Sequence, residues 1–314
     1  MNDKKLTIMK YIFDIVLISM LSFMYYLNKP VDTSEVIFIP KGSINEIITQ
    51  LSAKKYDLNK LDSLILRMIG TPQSGWINIG TNHTTKADFL YKLTTAKAAL
   101  FDITLIPGET TYVFLDNLAK DLALDRVKLQ YFFDKYTTIK EGAFIPNTYK
   151  LPLGIKEKEV IKILLNQSTK EMKKLSYKFF GNYNKKHWDR YIVIASIIQK
   201  ESANKEEMPL VSSVIYNRLK KGMPLQMDGT LNYGKYSHVK VTARRIKQDN
   251  TAFNTYKHKG LPPIPVCNVS FDAIRAAVFP AKTKYLYFMK NKNNRHDFTS
   301  HYSTHLRNIS RATK

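Results

Sequence analysis

Of the 26 acidic residues in this chain, Glu201 stands apart because of where its helix would put it. Residues 188–202 read WDRYIVIASIIQKES, and Ile194, Ile197 and Ile198 lie seven, four and three positions before Glu201. Helical periodicity places its carboxylate in line with that apolar stripe and leaves Lys200 on the flank. A carboxylate at the edge of an apolar surface loses solvation of its charged form, and its pKa rises. Such a group can hold a proton near neutral pH and deliver it as a general acid. The plainer reading puts Glu201 in the last turn, where the helix leaves the core and the side chain meets water.

Other polar groups follow at spacings that could serve such an acid. In an extended Leu225-Gln226-Met227-Asp228-Gly229-Thr230 segment, Gln226 and Asp228 project together, opposite Leu225 and Met227. Asp228-Gly229 also reads as an ordinary turn. Asn254-Thr255-Tyr256 and Gly260-Leu261-Pro262-Pro263 pair hydrogen-bonding groups with a stiff loop. The segment through Leu210, Val211, Val214, Ile215 and Leu219 is amphipathic and helical, with Gly222 placed to end it. Glu206 and Glu207 suit its N-terminus electrostatically and need no catalytic role. His301 and His305 are four apart and have His296 nearby, but no H-E-x-x-H pattern accompanies them, so no metal is assigned. The single cysteine, Cys267, excludes an intrachain disulfide and reads as a buried small hydrophobe.

The strings IIQKES, SSVIYNRLKKGMPLQMDGT, FNTY, GLPP, AAVFPAKTKYLYF and HDF, in that order, resemble the endolytic murein transglycosylases of the YceG-like family. The resemblance runs from Glu141, in EGAFIPNTY, to His305. It implies cleavage of the MurNAc–GlcNAc β-1,4 bond of nascent peptidoglycan without water, with no cofactor. Most glycosidases need two carboxylates. A lytic transglycosylase can use one, because the sugar's own C6 hydroxyl attacks the anomeric carbon and leaves a 1,6-anhydro end. Glu201 matches the family's catalytic glutamate in its K-E-[ST] setting. The resemblance further implies that Glu141, Gln226, Asp228, Asn254, Thr255 and Tyr256 line the cleft, and that His296 and His305 occupy the closing H-x-F…H segment, with His296 on substrate. It also implies work beside polymerising penicillin-binding proteins. Three departures bear on loop geometry and substrate fit: Gly229 where the pattern has proline, Asn147 where aspartate is usual, and Ile264-Pro265-Val266 without a glycine. Two rival readings are a non-catalytic wall-binding scaffold and a hydrolase that uses Asp228 as base.

The elements that must position these residues form an α+β chain. Apolar spacing is helical over 158–180 and 188–221, Tyr285–Met289 is strand-like, and Asn291–Asn294 reads as a turn. Upstream, Val36–Gly42 runs from a strand into a turn, and Ser43-x-x-Glu46 is a capping box that starts a helix. Ile103–Gly108 followed by Leu115, Leu118 and Leu122 repeats that pattern, so 35–135 is expected to be a LysM-like region and 136–314 the catalytic domain. Trp76 and Tyr91 could stack on sugars, although burial is the commoner fate of such rings.

Residues 11–28 contain the run YIFDIVLISMLSFMYYL, long enough to cross a bilayer. A stub of residues 1–10 carrying Lys4, Lys5 and Lys10 precedes it. This points to an uncleaved single-pass helix in the cytoplasmic (inner) membrane, N-terminus inside and the remainder outside. The 314 residues include 49 Lys and Arg against 26 Asp and Glu, a net charge of +23. Only ten are arginine, and no nucleic-acid-binding pattern is present, so a lysine-rich solvated surface is favoured over a nucleic-acid partner.

Overall fold

A computed structural model describes residues 2–54 and 56–313. The chain is mixed α and β and divides into two compact units, Met1–Phe101 with Leu151–Gly154, and Asp102–Lys150 with Ile155–Lys314.

The first unit begins with α1 (Asn2–Leu27). Its Lys4–Leu27 stretch is long and apolar enough to cross a membrane, and its apolar residues are exposed. Then follow β1 (Pro30–Asp32), β2 (Val36–Ile39), α2 (Ile44–Ala53), α3 (Lys60–Ile69), β3 (Gly75–Asn78), β4 (His83–Thr85) and α4 (Lys86–Thr95). β1 pairs antiparallel with β4, and β2 with β3 in the register Val36↔Asn78 to Ile39↔Gly75. The capping box forms as expected. The Ser43 N–H donates to Glu46 Oε2 at 2.7 Å, and the Glu46 N–H donates to Ser43 Oγ at 3.4 Å. A second box, from Asn59 and Asp62, starts α3.

Ile39, Leu51, Leu66, Phe89 and Leu90 form the core of this unit. At the foot of α1 the Tyr26 hydroxyl donates to Asp62 Oδ1 at 2.8 Å and accepts from Asn59 Nδ2 at 2.9 Å and Lys86 Nζ at 3.3 Å. Lys86 and Asp62 are both fully buried, which a charged pair tolerates only when its hydrogen bonds are satisfied. Trp76 and Tyr91 depart from the expected burial, being 39% and 56% exposed. Trp76 stands on the exposed position of β3 and leans on Phe38 across the strand pair, with ring centres 5.4 Å apart.

β5 (Leu100–Thr104) and β6 (Thr148–Pro152) pair with each other, and the boundary between the units falls within both strands. Between them lie α5 (Thr111–Asp121) and α6 (Arg126–Tyr136). The remainder of the second unit is α7 (Glu157–Phe180), α8 (Lys185–Glu201), α9 (Met208–Lys220), a 3-10 turn at Asp228–Leu231, another at Gly234–Tyr236, α10 (Ala243–Gln248), α11 (Phe271–Val278), the antiparallel hairpin β7 (Tyr287–Lys290) and β8 (His296–Thr299), and α12 (Tyr302–Thr313). Residues 102–135 thus fold with the second unit.

α8 is the spine of this unit. Every residue from Ile192 to Ile198 is buried, so the helix is apolar around most of its circumference and packs against α9 and α11. Cys267 is fully buried here, its thiol facing the Ser196 carbonyl at 3.5 Å. Gly222, in the left-handed region at φ 64°, follows α9 where the sequence expects its end, and the Asn291–Asn294 turn joins β7 to β8.

Candidate active site

Glu201 is the last residue of α8, and Ser202 already has extended backbone. It therefore does sit in the final turn, but the side chain does not escape to water. It is half-buried at the floor of a cleft of about 420 Å³, where Oε1 accepts a hydrogen bond from the Gly229 N–H at 2.6 Å. Loss of solvation pushes the carboxyl up to about 7. The Gly229 N–H pulls the other way, and the negative charge of Asp228 adds to the rise. A group poised there is protonated in a large fraction of molecules at neutral pH and ionises readily, as a proton donor that must become an acceptor requires.

The opposite lip is the loop after α9. Leu225 and Met227 point into the core while Gln226 and Asp228 face out, the alternation the sequence implies. The backbone is not a plain strand, however. Gln226 adopts φ 51° and Asp228 opens the 3-10 turn, so the two side chains share a face through a twist. Tyr256 donates its hydroxyl to Asp228 Oδ1 at 2.8 Å. Burial, and then that bond, hold the phenol well above its usual range.

Asn254 and Thr255 do not reach the cleft; both are buried beneath the loop. Asn254 Nδ2 donates to the carbonyls of Ile246 and Asp249 at 2.8 and 2.7 Å, and its Oδ1 accepts from the Tyr256 N–H at 3.1 Å. Thr255 Oγ1 accepts from the Met227 N–H at 3.1 Å, and its carbonyl accepts from the Gln226 N–H at 3.1 Å. These two residues hold the lip that carries Gln226, Asp228 and Tyr256.

The far wall is the β7–β8 hairpin with α12. His296 lines the cleft, with Nδ1 2.7 Å from Glu207 Oε2 and its backbone N–H donating to Glu207 Oε1 at 3.0 Å. Glu207 thus has a task beyond helix-end electrostatics, and the His296 bonds hold its carboxyl low against the opposing effect of burial. His305 stacks on Tyr287, ring centres 5.2 Å apart, and burial beside Arg218 lowers its pKa. Among the described residues no three His, Cys, Asp or Glu side chains gather as metal ligands.

Two contributors escape the sequence reading. Arg218, 7% exposed, donates to the carbonyls of Leu286, Pro224 and Leu225 at 2.6, 3.1 and 2.9 Å and to Gln226 Oε1 at 3.2 Å. It thereby ties the lip to the far wall. The Gly229 N–H is the other.

Glu141 is placed elsewhere. It is 6% exposed and accepts from the Thr111 N–H at 2.8 Å, the Thr111 hydroxyl at 2.6 Å and the Gly142 N–H at 3.0 Å. Burial pushes its carboxyl up to about 7 despite those donors. The resemblance implies that Glu141 lines the cleft, and only the tertiary packing, with Thr111 30 positions away, shows it buried apart from Glu201.

A near-neutral carboxylic acid in an aromatic-walled, polar-lipped cleft defines an acid–base site. Residues 37–311 match the YceG-like family, and the chain belongs to that family. It is 29% identical to an endolytic murein transglycosylase of Bacillus subtilis over 310 residues, covering 88% of this chain and 84% of the relative. It is 30% identical over 181 residues to an endolytic murein transglycosylase of Streptococcus pneumoniae, covering 53% of this chain and 32% of that protein. The crystal structure of a yceG-like protein from Listeria monocytogenes has the same fold, with TM-score 0.58 and 24% identity over 89% of this chain and 99% of that one.

Proposed function

We propose that this protein is a peptidoglycan lytic transglycosylase that cuts nascent glycan strands internally, at the MurNAc–GlcNAc β-1,4 bond, and so ends their elongation. The observation that carries this reading is Glu201, an acid pushed to about 7 at the floor of the cleft. Its family membership and the enzymes it resembles support the same chemistry.

Glu201 donates its proton to the glycosidic oxygen as the C1–O bond breaks, and the bonding pair leaves with that oxygen. Positive charge develops at C1, and the Asp228 carboxylate on the lip facing Glu201 offsets it. The C6 hydroxyl oxygen then bonds to C1, and its proton passes to the Glu201 carboxylate, restoring the acid. No water enters, and the product carries a 1,6-anhydro-MurNAc end. Gln226, Asp228, Tyr256 and His296 contact the glycan, Asn254 and Thr255 hold the lip, and Glu141 supports the fold away from it.

α1, with Lys4, Lys5 and Lys10 in its first turns ahead of the apolar run, anchors the protein in the cytoplasmic membrane with its N-terminus inside and the chain beyond it outside. Within residues 35–135, the β2-α2-α3-β3 order supports a LysM-like reading. The enzyme works beside the penicillin-binding proteins that polymerise its substrate.

Mass spectrometry of peptidoglycan digested by the wild type and by Glu201→Gln tests the proposal. Fragments ending in 1,6-anhydro-MurNAc are expected from the wild type alone. Ordinary reducing ends would instead identify a hydrolase using Asp228 as base, a reading kept open because Asp228 shares the cleft.

A further inference from the structure

The hydrogen bond that Glu201 accepts comes from the backbone. The Gly229 N–H donates to Oε1 at 2.6 Å, just under the usual N–H···O distance, so the two groups are in close contact. The donor is fixed from both sides. The Gly229 carbonyl accepts from the Asn232 N–H at 3.1 Å, and the next residue, Thr230, donates its hydroxyl to the Met227 carbonyl at 2.7 Å while its Oγ1 lies 3.0 Å from Thr255 Oγ1. Position 229 is also closed to any side chain. A Cβ there would stand 2.5 Å from Lys200 Cβ and 2.8 Å from Glu201 Oε1. Gly229 is not among the residues with positive φ, so glycine is required for space and not for torsion. The absent side chain lets the peptide N–H come against the carboxyl.

We infer that the Gly229 N–H is a positioning group for the Glu201 acid: it occupies Oε1 throughout turnover, so that Oε2 alone carries the proton to the glycosidic oxygen and receives it back. This rests on the proposed lytic reaction for its catalytic consequence, though the bond itself does not. An acceptor oxygen bound by an N–H is the carbonyl oxygen of the protonated acid, which leaves the proton on the other oxygen. Pinning one oxygen fixes the plane of the carboxyl and the direction in which Oε2 points. Because the N–H favours the ionised form, it also keeps the desolvated acid from rising too far to surrender its proton. The charged and titratable groups that line the cleft with this carboxyl are Asp228, Arg218, Lys290, His296, His305 and the phenols of Tyr256, Tyr287 and Tyr302.

Two variants break the contact, one by displacing the donor and one by removing it. Gly229→Ala keeps the N–H and adds a Cβ; Gly229→Pro adds a Cβ and removes the N–H. The general acid must be protonated, so activity falls as pH rises through its pKa. Loss of a donor that favours the carboxylate moves this alkaline limb of kcat upward, by about 1 pH unit for a tenfold change in proton affinity. We expect the shift in both variants, because the Cβ of Gly229→Ala would stand 2.8 Å from Glu201 Oε1 and drive the N–H off the carboxyl, and both lose more than tenfold at the plateau. Equal losses with unshifted limbs would overturn the inference and leave only a packing requirement.

The second measurement needs no activity and covers a proline variant that fails to fold. The full chain in detergent, labelled with ¹⁵N-glycine, should show one of its 12 glycine amides titrating with the Glu201 carboxyl. That resonance should be absent in Gly229→Ala and should stop titrating in Glu201→Gln. A Gly229 amide indifferent to pH between 5 and 9 would overturn the inference. A titrating amide in a protein that releases no anhydro ends would uphold the bond and reject the lytic reading.

Discussion

Glu201 and Glu141 are two glutamates that the same force, loss of water, brings to about the same pKa, near 7. What separates them is how many donors each has accepted. Glu141 is closed in by the Thr111 N–H, the Thr111 hydroxyl and the Gly142 N–H, and it lines no part of the cleft around Glu201. Glu201 accepts one N–H and opens onto the cleft. Under the proposed function, a shifted pKa alone does not mark the catalytic acid; a shifted pKa together with an uncommitted oxygen does. In Glu141 the carboxyl serves the fold, and in Glu201 the fold serves the carboxyl.

Substitution can break this contrast, and the largest effect is expected at Glu201. Glu201→Gln keeps the shape and removes the proton donor, and should lower kcat by about 10²–10⁴-fold with little change in Tm. A loss under tenfold would mean that another group is the acid. Glu141→Ala should show the reverse. It leaves buried donors without partners, costing about 3 kcal/mol of stability by thermal or denaturant unfolding, and activity per folded molecule should fall far less than in Glu201→Gln. If Glu141→Ala folded normally and lost activity as completely as Glu201→Gln, the distinction would collapse.

Much of this contrast lies beyond reach of the sequence, for reasons that differ by residue. The apolar stripe beneath Glu201, the capping box at Ser43 and Glu46, the αL glycine after α9 and the alternation about Met227 are all local periodicities, and each is legible. Glu141 is not. Its neighbours in sequence resemble those of a cleft residue, and its partner Thr111 lies 30 positions away. Glu207 looks like a helix-start charge until His296, 89 positions on, closes over it. The Gly229 N–H is hidden more deeply, since every residue but proline has one and no letter marks which of them points at an acid. Trp76 and Tyr91 went the other way. Rings that usually bury themselves stand exposed here, Trp76 at 39% even with Phe38 and Gly154 against it.

A smaller effect sharpens the picture of the lip. Tyr256→Phe removes the hydroxyl that holds Asp228 and should cost about 2- to 10-fold in kcat/KM, with Glu201 chemistry intact. An unchanged kcat/KM would mean that Asp228 needs no such support. The smallest effect is on stability. Both glutamates bind their protons more tightly in the folded chain than in the unfolded one, where a glutamate titrates near 4.3. Between about pH 4.5 and 7 the native state therefore carries more protons, and stability declines as pH rises through that window. Tm should fall across it, and the slope should flatten in Glu201→Gln. A slope unchanged by that substitution would place the whole effect on Glu141.

The tie at the foot of α1 has a mechanical consequence. Tyr26 is bonded into the buried Lys86–Asp62 pair, and only Asn28 and Lys29 separate α1 from β1. Two residues of slack span at most about 7 Å. On the proposed membrane placement of α1, the part of the first unit beyond that helix has no leash on which to wander: it would ride on the lipid surface and meet the wall by lateral diffusion in a thin layer. Its encounters are set by how many molecules share a patch of membrane and not by their number in a volume, and lengthening that two-residue joint would be the way to loosen the constraint.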